Sequence, residues 1–286
     1  MVPVGDLARA VLEEVVRGGL PPEEPEVLRF FAAVVARGVR GHPGPLVEEV
    51  RRTFGLSART AEAVSREADD LAAQATLEAL LLPRMRPADV AAVVRTRGEA
   101  RAPALVVYPH AGNLLLLAAA LAWQAPGLVV FGDRPVPDGS RPRRWAIARQ
   151  LAFEDRLPIR WEPDPDALAG WLGRGHLVAC AFDDRAFRRC ERVPFLGRVA
   201  LLSPEPWEIA ARAGVAVVPA SIRRDRDKTS ELVLAAPIAP DRAAYLRDHA
   251  EPFLRANPGH YAAWLAERAR SDRPLFADLT GGAPPD

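Results

Sequence analysis

Between residues 102 and 132 the chain carries no Asp, Glu, Lys or Arg. A run of that length without one formal charge is not a surface; it is expected to be buried on both sides. Within it, Ala104 to Tyr108 (ALVVY) reads as a strand, Gly112 to Trp123 as a helix, and Gly127 to Phe131 (GLVVF) as a second strand. Strand, helix and strand at this spacing make a parallel crossover, which places the chain among α/β proteins. The alternation continues with a helix near 143–153, a strand at Pro158 to Trp161, a helix from Pro165 to Gly173 and a strand at His176 to Phe182. A helix from about Pro206 to Ala213, a strand at Val215 to Ser221, an antiparallel strand at Glu231 to Ala235 and helices near 241–256 and 258–270 complete the series.

The first hundred residues have a different texture. Apolar residues recur there at helical spacing, as in Leu7, Val11, Leu12, Val15 and Val16, and again in Phe30, Phe31, Val34 and Val35. Ser57 is placed to cap a helix running to about Leu82, and Pro87 to begin a short one. The expected architecture is therefore a helical subdomain over 1–100 and a mainly parallel central sheet flanked by helices over 101–275. A tail over 276–286 is expected to be flexible.

Several function classes fall away on composition. With 38 Lys+Arg against 37 Asp+Glu, the net charge of +1 lacks the basic excess of a nucleic-acid binder, so no nucleic-acid partner is expected. The two cysteines, Cys180 and Cys190, support no disulfide framework and no metal-ligand spacing, and neither sits beside a recognisable base. No signal peptide and no membrane-spanning helix is expected, since the densest apolar run, Leu114 to Trp123, is too short to span a bilayer. The amphipathic 27–40 segment, flanked by Arg29, Arg37 and Arg40, is instead a candidate for peripheral attachment to an anionic membrane.

In open α/β sheets, ligands gather beyond the carboxyl ends of the strands. Three segments stand there. Pro109-His110-Ala111-Gly112-Asn113 joins a buried strand to a buried helix, whose N-terminal amides can face an anion. Phe182-Asp183-Asp184-Arg185 follows another buried strand. Val193 to Arg198, preceded by Arg185, Arg188, Arg189 and Arg192, offers guanidinium groups suited to phosphate. There is no P-loop, no dinucleotide fingerprint after the first strand and no nucleophile elbow.

In this order the three segments resemble the lysophospholipid acyltransferase superfamily, and within it the branch of lipid A late acyltransferases and phosphatidylinositol mannoside acyltransferases. His110-Ala111-Gly112-Asn113-Leu114-Leu115 is similar to that branch's H-F-G-N-W-E, Ala181-Phe182-Asp183-Asp184 to its P-D-x-D, and Val193-Pro194-Phe195-Leu196-Gly197-Arg198 to its V-P-F-F-G-R. Later blocks at Glu205 to Pro219 and Arg255 to Trp264 extend the likeness over about residues 45–270. The resemblance implies a His general base that deprotonates a hydroxyl of a lipid or glycolipid for attack on an acyl thioester. The donor it implies is acyl-CoA or acyl carrier protein, and it implies no cofactor.

It also implies His110 and Asn113 in the catalytic turn, with Arg185, Arg188, Arg189, Phe195, Gly197 and Arg198 around the substrate. One departure is decisive: the acid that orients the base in this branch is Leu115 here. A leucine can neither accept from imidazole nor balance its charge. Either a relocated acid, Asp183 or Asp184, supports His110, or the chain is an inactive relative that binds lipid or a partner. Alternation along the strand favours Asp184, because it turns Asp183 to the opposite face.

Overall fold

The computed structural model describes residues 44–81, 91–125, 127–134, 136, 151–224, 229–269, 271 and 273–276. The 27–40 segment, the helices expected near Leu7 and Pro87, most of the 143–153 helix and residues 277–286 lie outside them.

A seven-stranded sheet carries the fold. In chain order its strands are β1 (Val94–Arg97), β2 (Ala104–Tyr108), β3 (Leu128–Phe131), β4 (Ile159–Glu162), β5 (Leu177–Ala181), β8 (Val217–Arg224) and β9 (Ser230–Leu234). A separate hairpin pairs β6 (Glu191–Phe195) with β7 (Arg198–Leu202). Across the sheet the order is β1-β9-β8-β2-β5-β3-β4. Strands β8, β2, β5, β3 and β4 are mutually parallel, β9 runs antiparallel to β8, and β1 pairs parallel with β9. The fold is thus α/β with a mainly parallel sheet, as expected, but the sheet begins at Val94 rather than near residue 102. The edge strand β1 (VRTR) alternates Val and Thr with two arginines and lacks the apolar run that marks the inner strands.

The charge-free run has a direct structural reason. In β2, Leu105 and Val107 enter one core while Val106 and Tyr108 enter the other, on the opposite face of the sheet. Strand β5 splits likewise, with Val178 and Cys180 on one face and Leu177, Ala179 and Ala181 on the other. Each such fully buried Val or Leu contributes about 1.5–3 kcal/mol. Helix α3 (Leu114–Gln124) covers one face. The other is covered by α1 (Gly44–Phe54), α2 (Ala58–Leu81), α4 (Pro165–Gly173), α5 (Glu205–Ala213) and a C-terminal series. That series comprises α6 (Arg242–Tyr245), a π-turn at Leu246–Ala250, α7 (Glu251–Ala256) and α8 (Pro258–Ala269). Helix α8 packs on α1 and α2, so the helical N-terminal part shares a core with the sheet domain. Phe276, assigned to the tail, is buried and bridges to Ala200 of β7.

Two features position the site. Strand β2 sits between β5 and β8, where the chain, having moved one way across the sheet, later moves the other; the carboxyl ends there open into a crevice. The loop leaving β2 also turns tightly. Gly112 has φ 76°, and a Cβ there would lie 2.3 Å from the Ile222 carbonyl oxygen, so only glycine fits this turn against β8.

Candidate active site

His110 follows β2 and its side chain is 16% exposed. Its Nδ1 lies 2.8 Å from Asp183 Oδ1. The same carboxylate accepts from the His110 backbone N–H at 3.2 Å and from the Tyr261 hydroxyl at 2.7 Å. Asp183 is therefore a wholly buried anion held by three donors. The bond to it places the imidazole proton on Nδ1, leaving Nε2 as the free base. Burial pushes the Tyr261 hydroxyl well above its ordinary value, and the neighbouring Asp183 charge and hydrogen bond push it further, so it stays protonated and donates. On His110 the forces oppose. Burial pulls its pKa down, Asp183 pushes it up by charge and hydrogen bond, and Asp184 adds to that, with a net upward shift.

The carboxylate bonded to the His110 ring is thus Asp183, not Asp184. The alternation argument fails because β5 ends at Ala181: Phe182 N–H still bonds to the Tyr108 carbonyl, but the Asp184 N–H turns back to Ala181. The chain leaves the sheet before Asp183, and the turn swings that carboxylate under His110. Asp184 lies on the other side of the ring, its Oδ2 3.8 Å from His110 Nε2. Its Oδ1 accepts from Ala186 N–H at 2.8 Å, which fixes the carboxylate plane.

Helix α8 supplies further groups around His110. Tyr261 and Trp264 stand three residues apart on one face. The Trp264 ring stacks on His110 with centroids 3.8 Å apart and planes 17° apart. Arg268, one turn further and buried, puts a positive charge near Asp183. A tyrosine and a tryptophan spaced to share a helical face were the available signal.

A cavity of about 630 Å³ opens in front of His110. One wall is apolar, built by Leu114, Leu115, Ala118, Val130, Phe131 and Ile159. The charged residues Asp133, Glu154, Asp184, Glu267, Arg185 and Arg273 also line the cavity. Leu115 thus occupies the wall of the site rather than a place in the dyad.

Other expected site residues have different work. Asn113 is the N-cap of α3: its Oδ1 accepts from Leu115 N–H at 3.1 Å and Leu116 N–H at 3.3 Å, which takes those two amides from any oxyanion. Arg188 pairs with Asp164 and Asp166 at the surface, and Arg189 pairs with Glu208. Arg198 bonds Glu49 at 2.7 Å and Thr53 at 2.9 Å and lies over the Phe276 ring; it ties β7 to α1. Phe195 is a core side chain and packs edge-on against Phe182. Gly197, with φ 80°, and Leu196, with φ 54°, form the two-residue turn between β6 and β7. Of the expected arginines, Arg185 alone lines the cavity. The phosphate clamp expected from this segment is therefore a set of ion pairs and a hairpin.

Among the described residues no group of three or more His, Cys, Asp or Glu is arranged to hold a metal ion. No helix among them is long and apolar enough to cross a membrane. No family model and no curated protein sequence matches the chain.

Proposed function

We propose that the protein is an acyltransferase that moves a fatty acyl group from a thioester, of coenzyme A or acyl carrier protein, to a hydroxyl of a lipid or glycolipid. The observation that carries this reading is the His110–Asp183 pair, with Nδ1 held and Nε2 facing the cavity. Asp183 supplies what Leu115 lacks, a carboxylate that fixes the tautomer and balances the imidazolium charge. This supports a working site over an inactive relative.

Each step uses groups already in place. The acceptor hydroxyl gives its proton to Nε2 as its oxygen attacks the thioester carbonyl carbon and a C–O bond forms. Asp183 stabilises the resulting imidazolium. Collapse of the tetrahedral intermediate breaks the C–S bond, and the departing thiolate takes the proton from Nε2. The apolar wall from Leu114 to Ile159 suits the acyl chain, while Arg185 and Arg273 suit an anionic part of either substrate. On this reading the lipid acceptor is met at a membrane surface.

Thiol release from decanoyl- and palmitoyl-thioesters of coenzyme A and acyl carrier protein tests the proposal. His110→Ala should abolish release, and Asp183→Asn should lower it by about 10³–10⁴, as replacing the orienting acid does in a serine protease. Wild-type activity no greater than that of His110→Ala, on every donor, overturns the proposal.

A further inference from the structure

Two hydrogen-bond acceptors, not one, face the reacting position. His110 Nε2 presents a lone pair once Nδ1–H is committed to Asp183, and Asp184 Oδ2 stands 3.8 Å from it. They are too far apart to bond each other. Both residues line the cavity, and the Ala186 amide holds the Asp184 carboxylate so that Oδ2 keeps its direction. No donor among the described residues reaches Asp184 Oδ2.

A lone hydroxyl brings a single proton, which goes to Nε2. It would strip water from Asp184, only 18% exposed, and leave Oδ2 without a donor, which is costly for a charged group. Hydroxyls on adjacent carbons bring two O–H groups side by side, closer together than Nε2 and Oδ2, so that one can splay toward each acceptor. One becomes the nucleophile and the other donates to Asp184. A phosphate next to the nucleophile would instead offer Oδ2 acceptor oxygens and no donor. Asp133 and Glu267 on the wall are likewise acceptors suited to hydroxyl donors, whereas Glu154 already accepts from Trp161 Nε1 at 3.2 Å.

We infer that the acceptor is a vicinal diol, as in a sugar ring or a glycerol end, and that Asp184 is the residue that selects it. This rests on the acyl-transfer reading and names its acceptor. The second hydroxyl keeps its proton throughout, so the proton transfers between the nucleophile, His110 and the leaving thiol are unchanged.

The test compares 1-O-hexylglycerol with 3-hexyloxypropan-1-ol, which lacks the middle hydroxyl, and with 3-hexyloxypropan-1-amine. Affinities are measured by calorimetry, and ester or amide formation with decanoyl-CoA by mass spectrometry. The diol should bind at least about tenfold more tightly than the mono-alcohol, the worth of one hydrogen bond to a charged group. Asp184→Asn should bring the two within about twofold. Equal affinities in the wild type, a preference for the amine, or a diol preference untouched by Asp184→Asn each overturn the inference. His110-dependent thioester cleavage without diol preference sinks the diol alone. Asp184-dependent diol binding without His110-dependent cleavage of any thioester sinks the acyl-transfer reading and leaves Asp184 as a diol-binding group.

Discussion

At the scale of single residues, the proposed acyl transfer depends on which side of one imidazole each carboxylate occupies. Asp183 holds Nδ1 and Asp184 faces Nε2, and the two acids together keep the His110 pKa above its ordinary value of 6.5 despite burial. A general base works only when neutral, so the rate should rise with pH through a value above 6.5 and then level. Log(kcat/KM) for thiol release against pH checks this; a profile already flat from pH 6 upward contradicts it. Leu115→Glu should restore nothing, since Nδ1 is already occupied and the new carboxylate would enter an apolar wall. Much of this level was legible. His110 and the pair of acids stand out as the polar exits of buried strands. The choice between adjacent aspartates was not, because it turns on whether the strand ends at Ala181 or two residues later. Sequence alternation carries no information on that point.

At the scale of elements, the arginines show how a charge run misleads. Arg188, Arg189 and Arg198 look alike in sequence, yet each is neutralised by an acid far away in the chain: Asp164 and Asp166, Glu208, and Glu49. No local pattern announces partners 19 or 149 positions distant. Arg198 and Glu49 are the buried case, with side chains 9% and 8% exposed, and they join the β6–β7 hairpin to α1. Arg198→Ala leaves Glu49 buried without its cation and should cost about 3 kcal/mol in urea unfolding. The double change Arg198→Met with Glu49→Leu should recover most of that. Loss of ligand binding with unchanged stability would show that Arg198 belongs to the site after all. The hairpin escaped the sequence reading because β6 (ERVPF) holds three polar or breaking residues, its Pro tolerated in a two-stranded ribbon with no further neighbour.

At the scale of the whole molecule, strands β2, β3 and β5 and helix α3 were readable because burial removes charge from them, and α4, α5 and α8 because apolar spacing marks one covered face. The edge strand β1 and helix α1 were not, being half exposed and rich in charge. Global stability should also depend on pH through two histidines with opposite signs. His260 of α8 accepts the Arg224 N–H of β8 at 2.9 Å, and burial, with the nearby charges of Arg224 and Arg223, lowers its pKa to about 4. The folded state therefore takes up this proton less readily than the unfolded chain. The associated stability is whole above about pH 6.5 and is lost as pH falls toward 4, by about 3 kcal/mol. His110 is raised, so its contribution is whole below 6.5 and is lost as pH climbs through its folded value. Urea midpoints at pH 7, 5.5 and 4.5 should fall steeply in the wild type and more gently in His260→Gln. Equal slopes would remove His260 from the account.

The most direct measurement is a titration of the His110 ring by nitrogen-15 NMR in the wild type, Asp183→Asn and Asp184→Asn. The wild-type ring should titrate above 6.5 and carry its proton on Nδ1 when neutral. In Asp183→Asn, burial should prevail, bringing the pKa below 6.5 and releasing the fixed tautomer. Asp184→Asn should lower the pKa less and keep the proton on Nδ1. A ring whose pKa and tautomer ignore Asp183, or follow Asp184 instead, would contradict the account.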